Sequence, residues 1–159
     1  MAPKIRFINP PDLNRPPTYT QVVEITGPGR TVYISGQLAT GLDGKVVGGD
    51  FRAQAEQVFA NLQAALAAVG ANCADIVKLN SYLRDIDDLP ILREVRARHL
   101  NAAALPASTT LEVPGFARPD ALLEIEAVAV LPPGTKRSGA KRARAAGARR
   151  VKSARRKAK

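Results

Sequence analysis

Apolar and polar residues follow helical or strand periods along most of the first 131 residues of the chain. The clearest helical pattern covers residues 51–69, where apolar side chains recur every three or four positions and so share one face of a helix. Asp50 stands where an N-cap is expected, and Gly70 stands where helices commonly end. The pattern therefore predicts a long amphipathic helix between Asp50 and Gly70.

Shorter segments rich in β-branched and aromatic residues are typical of strands. A second helix is predicted from Asp87 or Asp88 to about Leu100, because Pro90 is tolerated in a first helical turn. Residues 1–17 carry no helix signal and are predicted as a loop or as the entry to an edge of the sheet. We predict a hairpin in which strands at residues 18–25 and 31–35 are joined by the turn TGPGR. Three further strands are predicted at residues 75–85, 107–113 and 121–131.

The predicted order of elements is β-β-α-β-α-β-β. Two helices in this order can cover one face of a mixed sheet of five or six strands, which makes the predicted fold α+β. No third helix is predicted, so the opposite face of the sheet has no cover within the chain. We therefore expect a homo-oligomer in which the sheets pack together.

Charge divides the chain into two parts. The sequence has 24 basic and 14 acidic residues and a formal net charge of +10. Residues 136–159 contain 12 of the basic residues and no acidic residue, so the first 135 residues hold 12 basic and 14 acidic side chains and a net charge of −2. The basic character of the protein thus belongs to its C-terminal segment.

We divide the chain into an N-terminal extension (1–16), a folded domain (17–133) and a C-terminal tail (134–159). The tail mixes Lys and Arg with Ala, Gly and Ser, and we expect it to be disordered because it buries too little apolar surface to fold alone. Its charge predicts non-specific binding to DNA or RNA phosphates, with a merely solubilising extension as the alternative. The candidate nucleic-acid-binding residues are Lys136, Arg137, Lys141, Arg142, Arg144, Arg149, Arg150, Lys152, Arg155, Arg156, Lys157 and Lys159.

Composition argues against several classes of protein. A single cysteine, Cys73, excludes an internal disulfide and indicates a reducing compartment. The sequence has no Cys/His cluster typical of a metal site, no apolar run of membrane-spanning length and no apolar segment of a signal peptide at its N-terminus. We therefore expect no metal, no membrane partner and a cytoplasmic location, with association with the nucleoid through the tail as an alternative.

Several spaced motifs resemble the RidA (YjgF, enamine/imine deaminase) family. The resemblance covers roughly residues 17–131. It implies a chorismate-mutase-like fold, a homotrimer with ligand clefts between subunits, and hydrolysis of enamines or imines such as 2-aminoacrylate without a cofactor. The motifs are YTQ (19–21), VYISGQL (32–38), a G-x-V before the long helix, ANLQAALAAVGANCADIVKLNSYLRDIDD (60–88), LPASTTLEV (105–113) and LLEIEAVAV (122–130).

The resemblance also assigns candidate site residues. It implies that Glu126 is the catalytic glutamate that helps to place a water molecule, and that Tyr19, Ser35 and Gly36 line the ligand cleft. Thr110, in the LPASTTLEV motif, is a further candidate for ligand binding. On the residues alone, Glu126 is a general base or a structural glutamate at a subunit boundary, and both interpretations stay open.

Two departures from the family pattern concern the substrate. The family motif P-A-R-S reads P-A-S-T here, so Ser108 stands at the position of the arginine that binds the substrate carboxylate. Such an arginine makes two charge-assisted hydrogen bonds of about 1.5–3 kcal/mol each, which a serine cannot replace. Arg93 stands at the position of a pocket asparagine; it either binds the carboxylate instead or is a solvated charge beside Arg96.

Two hypotheses about function follow. In the first, the chain is an enzyme that hydrolyses an imine-like or related carbonyl compound, and Ser108 argues against the standard activity on 2-aminoacrylate. Alternatively, it is a non-enzymatic ligand-binding trimer tethered to DNA or RNA by its tail. RNA is also a candidate substrate, because some relatives in the family are described as endoribonucleases or translation inhibitors.

Overall fold

The computed structural model describes residues 1–134, in which six β-strands and two α-helices follow one another. The predicted alternation of strands and helices is confirmed, and an additional strand precedes it within residues 1–17. The twelve candidate nucleic-acid-binding residues lie outside the described residues. The elements are β1 (Lys4–Ile8), β2 (Val22–Thr26), β3 (Arg30–Gln37), α1 (Phe51–Ala67), β4 (Ile76–Leu83), α2 (Leu89–Ala97), β5 (Ala107–Glu112) and β6 (Leu123–Leu131).

Four strands form the main sheet in the order β3-β6-β4-β5, with β4 and β5 parallel and the other pairs antiparallel. The predicted hairpin of residues 18–25 with residues 31–35 is wrong, because β2 pairs with β1 and β3 pairs with β6. The physical reason lies in burial: Ile34 of β3 belongs to the hydrophobic core, whereas β2 exposes Val22 and Ile25 on a separate two-stranded ribbon.

Helix α1 forms where its caps and apolar face predict it. The Asp50 carboxylate accepts a hydrogen bond from the Ala53 amide at 2.9 Å, which satisfies one of the unpaired amides of the first turn. Gly70 adopts a φ of +76°, a conformation that glycine reaches without steric cost. The buried side chains of the helix are Phe51, Gln54, Ala55, Val58, Phe59, Leu62 and Leu66.

Helices α1 and α2 cover one face of the sheet and leave the other open, as the predicted α+β fold requires. Strand β6 shows this alternation, since Ile125 and Ala127 are buried towards the helices and Glu126 lies on the opposite face. Two large side chains on the open face are exposed, Tyr33 by 81% and Leu111 by 52%. The open face therefore carries apolar surface that the described part of the chain does not cover.

No helix within residues 1–134 is long and apolar enough to cross a membrane. Strand β1 lies in the segment that we assigned to an N-terminal extension, where Ile5 and Phe7 pair with Ile25 and Val23. The domain boundaries at residues 16 and 133 stay predictions.

Candidate functional site

Glu126 lies at the centre of a polar cluster on the open face of the sheet. Its Oε1 atom accepts hydrogen bonds from Asn80 Nδ2 at 2.8 Å and from the Tyr82 hydroxyl at 2.9 Å. Both donors stand on β4, in register with β6, so the sheet itself fixes their positions. Within the described residues Oε2 accepts no hydrogen bond, and it is thus available to a water molecule or a ligand. We call Glu126, Asn80, Tyr82 and Lys78 the Glu126 cluster.

The cluster keeps the Glu126 side chain ionised. The hydrogen bonds from Asn80 and Tyr82, and to a smaller extent the charge of Lys78, hold the pKa of Glu126 below its usual range. The same hydrogen bond raises the pKa of Tyr82, so its hydroxyl stays a donor at neutral pH. A carboxylate of this kind can orient water or stabilise a nearby cation, and it is anionic throughout the neutral range.

A cavity of about 260 Å³ opens beside the Glu126 cluster and is also lined by Ser35 and Tyr33. Ser35 is exposed, and Gly36, its neighbour on β3, lies against the side chain of Glu124. The structure therefore brings three predicted site residues, Glu126, Ser35 and Gly36, to neighbouring positions on the open face.

Ser108 lies on the other face of the sheet, towards the helices. It pairs with the buried Leu79 in the parallel ladder of β4 and β5 and so shares its orientation. Thr110 pairs with the buried Ser81 and points in the same direction. In a single chain, these two residues are therefore separated from Glu126 by the sheet.

Arg96 of α2, rather than Arg93, contacts Ser108. The Arg96 guanidinium donates from one nitrogen to Ser108 Oγ at 3.2 Å and from the other to the Thr18 carbonyl at 3.1 Å. Its side chain is buried, with 5% of the residue exposed, whereas Arg93 is exposed and makes no hydrogen bond to the described residues. The exposure of Arg93 agrees with the alternative of a solvated charge at that position, and the burial of Arg96 was not predicted.

Arg96 and Arg93 line a cavity of about 100 Å³ together with Thr18, Leu100 and Leu105, which we call the Arg96 pocket. Burial, and to a lesser extent the charge of Arg93, lowers the pKa of Arg96, yet a guanidinium stays protonated at neutral pH. No carboxylate within residues 1–134 forms an ion pair with it. The pocket therefore contains a buried positive charge that the described protein atoms do not neutralise.

Tyr19 lies in a neighbouring cavity, lined also by Asn9, Arg15 and Thr20. This cavity and the Arg96 pocket share Pro17 and Leu105 in their walls. Tyr19 is thus close to the Arg96 pocket and belongs to the same side of the molecule. The structure places the predicted site residues in two groups, with Tyr19, Arg93, Ser108 and Thr110 in one and Ser35, Gly36 and Glu126 in the other.

The remaining titratable side chains of note belong to the packing of α1. His99 stacks on Phe59 with ring centroids 4.6 Å apart, and its Nδ1 and Nε2 atoms face Gln63 and Glu56. Cys73 is buried, and burial raises the pKa of its thiol, which disfavours the reactive thiolate. No group of three His, Cys, Asp or Glu residues within the described part of the chain could hold a metal ion.

The sequence did contain a signal for Arg96. Leu92 and Val95 are buried core residues of α2, and Arg96 is four positions after the first and adjacent to the second. Arg96 therefore lies on the apolar face of the helix, where a solvated charge is not expected. Its partners were not readable from this pattern, because Thr18 is 78 positions distant in sequence.

Comparisons with known proteins identify the family of this chain. The family model described as Endoribonuclease L-PSP matches residues 13–131. A 2-iminobutanoate/2-iminopropanoate deaminase of Dermatophagoides farinae is 34% identical over 133 residues, which cover 82% of this chain and 99% of that protein. A protein of the same name from Mus musculus is 35% identical over 118 residues, covering 72% of this chain and 82% of that protein.

A solved structure supports the same conclusion at the level of the fold. The crystal structure of YyfB from Yersinia pestis, a Rid-family protein of unknown function, is 36% identical and superposes with a TM-score of 0.70. The match covers 79% of this chain and 97% of the Yersinia chain. The fold is thus the one found in Rid-family structures, and the chain belongs to the Endoribonuclease L-PSP family, the family of YjgF and RidA.

Proposed function

We propose that this protein hydrolyses small imines that carry a carboxylate. The observation that carries the proposal is the Glu126 carboxylate, fixed through Oε1 by Asn80 and Tyr82 and open at Oε2 beside a cavity. The relatives named 2-iminobutanoate/2-iminopropanoate deaminase support this reaction class. In the reaction, water adds to the C=N carbon and ammonia leaves, so that a 2-imino acid and one water give a 2-oxo acid and one ammonia.

Glu126 would act as the group that positions the attacking water. Its ionised Oε2 atom would accept a hydrogen bond from the water, orient a lone pair towards the imine carbon and take up a proton as the C–O bond forms. This proton passes to the imine nitrogen and gives a carbinolamine. The hydroxyl proton of the carbinolamine then moves to the amino nitrogen as the C=O bond forms, and the C–N bond breaks to release ammonia. Asn80 and Tyr82 would hold the carboxylate in position throughout, since their hydrogen bonds use only Oε1.

We further propose that the protein is a homotrimer in which each ligand cleft is shared by two subunits. The predicted site residues occupy opposite faces of the sheet in one chain, and the open face carries the exposed side chains Tyr33 and Leu111. A cyclic trimer joins different surfaces of neighbouring subunits at each interface. The Glu126 cluster of one subunit would thereby face the Arg96 pocket of the next.

The direct test of the reaction is the release of 2-oxobutanoate and ammonia from 2-iminobutanoate generated in situ. We expect Glu126→Gln to lower the rate constant by about a hundredfold, within the usual contribution of a general base. Glu124→Gln is the matched control, because this glutamate lies on the same strand and face but outside the hydrogen-bonded cluster. Equal rates for wild type and Glu126→Gln would reject the proposed role.

A second function is proposed for the C-terminal tail. Residues 136–159 carry 12 basic and no acidic side chains, whereas the first 135 residues are mildly acidic. A trimer would present three such segments and bind a polyanion with high avidity. We propose that the tail tethers the trimer to DNA or RNA without sequence preference.

A further inference from the structure

We propose that Arg96 binds the carboxylate of the ligand and replaces the arginine that this chain lacks at Ser108. The inference rests on the proposed imine hydrolysis, because it assigns the substrate's carboxylate to a position in the same cleft. It concerns a residue of α2, whereas the missing arginine belongs to β5.

Arg96 is buried without a counter-charge, which costs free energy. Transfer of an ion from water to a protein interior is unfavourable unless other groups compensate for the lost hydration. Arg96 is 95% buried, and its two acceptors, Ser108 Oγ and the Thr18 carbonyl, are both neutral. A structural arginine at this position would be expected to have an acidic partner, and within residues 1–134 it has none.

Arg96 and Ser108 are in direct contact. The serine hydroxyl accepts a hydrogen bond from the arginine, so the guanidinium lies next to the position where the family arginine would begin. A long side chain at residue 108 would compete with Arg96 for this volume. The short Ser108 side chain therefore leaves room for the Arg96 guanidinium. The site keeps a positive charge, which comes from α2 and not from β5.

The Arg96 pocket has a shape and a chemistry that suit a small anion. Leu100 and Leu105 supply apolar walls, Arg93 adds a second positive charge at the exposed rim, and the cavity of about 100 Å³ suits only a small ligand. The guanidinium has five N–H donors. Two of its nitrogens donate one hydrogen bond each to protein atoms, so the remaining N–H groups can bind an anion. A short-chain 2-oxo or 2-imino acid fits these requirements.

The test measures binding rather than turnover, so that it does not depend on Glu126. The probes are 2-oxobutanoate, which is the stable product of 2-iminobutanoate hydrolysis, and its uncharged analogue 2-oxobutanamide, both titrated by calorimetry into the full-length protein. Wild type should prefer the carboxylate by at least about tenfold. Arg96→Gln should weaken 2-oxobutanoate binding by about ten- to a hundredfold and leave the amide unchanged, because two charge-assisted hydrogen bonds are lost.

Arg98→Gln is the matched control, since it removes an exposed positive charge at the C-cap of α2 that pairs with Glu56 and does not line the Arg96 pocket. We expect this variant to change 2-oxobutanoate affinity by less than about threefold, as is typical of solvent-exposed charges. Arg96→Gln with Ser108→Arg in the same chain should restore carboxylate preference, because a guanidinium then reaches the pocket from β5.

Two results would overturn the inference. One is equal affinity of wild type and folded Arg96→Gln for 2-oxobutanoate; the other is a wild type that does not distinguish the carboxylate from the amide. If Arg96→Gln does not fold, Arg96→Lys decides instead, with several-fold weaker carboxylate binding expected and unchanged binding contradicting the inference. The role of Glu126 in hydrolysis is tested separately from carboxylate binding by Arg96, because Glu126→Gln is expected to lose hydrolysis and to bind 2-oxobutanoate normally.

Discussion

Gly36 of β3 lies so close to the side chain of Glu124 on β6 that a Cβ atom at residue 36 would overlap the glutamate carboxylate. The register between β3 and β6 also shifts here, between Ile34 and Gln37. Glycine at this position is therefore required for packing at an irregularity of the sheet. Because Ser35 precedes it and lines the cavity beside Glu126, the same contact positions one wall of the candidate site.

Gly36→Ala should destabilise the protein by about 1–3 kcal/mol, the usual cost of forcing an extra methyl group into a packed region. The Cγ atom of Glu124 is within 2.9 Å of the added Cβ, so rotation of the terminal carboxylate alone cannot relieve the overlap. Urea unfolding measures the effect. Gly36→Ala with Glu124→Ala should recover most of the loss, and Gly48→Ala, where a Cβ meets no atom within 4 Å, is the control. An unaltered midpoint for Gly36→Ala would contradict this account of the contact.

Tyr33→Asp should prevent assembly of the proposed trimer. Tyr33 is 81% exposed in a single chain and lies on the open face of the sheet, opposite Val128 of β6. Burial of an unpaired carboxylate in an apolar interface is unfavourable, so the charged variant should sediment as a monomer. Leu42→Asp is the control, because Leu42 is fully exposed on the loop between β3 and α1. A trimer of normal stability for Tyr33→Asp would place the subunit interface elsewhere.

His99 should make the protein less stable in mild acid. Burial, and then the nearby Arg98 charge, lowers the pKa of His99, so the folded protein holds the neutral ring while the unfolded chain takes up a proton first as pH falls. The stability contribution is complete above the unfolded pKa of about 6.5 and is lost as pH falls towards the folded pKa. Between pH 7.5 and 5, the melting temperature of wild type should therefore fall more than that of His99→Phe, which keeps an aromatic ring on Phe59. Parallel curves for the two proteins would show that His99 does not titrate as argued.

Removal of residues 136–159 should abolish retention of duplex DNA or RNA at low salt and leave imine hydrolysis unchanged. Each neutralised phosphate contributes a slope of about −0.9 to the dependence of log K on log salt, so intact protein should show a slope of several units. A full-length variant with the twelve Lys and Arg residues of this segment replaced by Gln controls for chain length. Retention by either altered protein at the wild-type level would rule out the tail as the tether.

Local signals in the sequence predicted more of the fold than of the site. Helix α1 was predictable because its N-cap Asp50, its terminal Gly70 and its apolar face are all encoded within 21 residues. Strand β1 was not, because a strand of only five residues forms by pairing with β2, and nothing within those five residues specifies that partner. The hairpin error has the same origin, since nothing near residue 31 indicates that β3 pairs with β6, about 100 positions later.

In the site, too, residues within motifs were predictable from the sequence, whereas contacts between distant segments were not. The family motifs identified Glu126 and Ser108, but they gave no indication that the sheet separates these residues within one chain. The arginine that contacts Ser108 was missed because its burial depends on Thr18 and on the absence of a long side chain at residue 108. Such three-body relationships arise from tertiary packing and have no counterpart in the spacing of residues along the chain.

Mixed trimers test most directly whether each cleft combines Glu126 from one subunit with Arg96 from its neighbour. Glu126→Gln and Arg96→Gln chains are each expected to be nearly inactive on 2-iminobutanoate. Co-expressed in equal amounts, they should regain about a quarter of wild-type activity, because one cleft in four of a cyclic trimer then receives both intact residues. Mixed trimers as inactive as the two parents would show that Glu126 and Arg96 do not serve a shared intersubunit cleft.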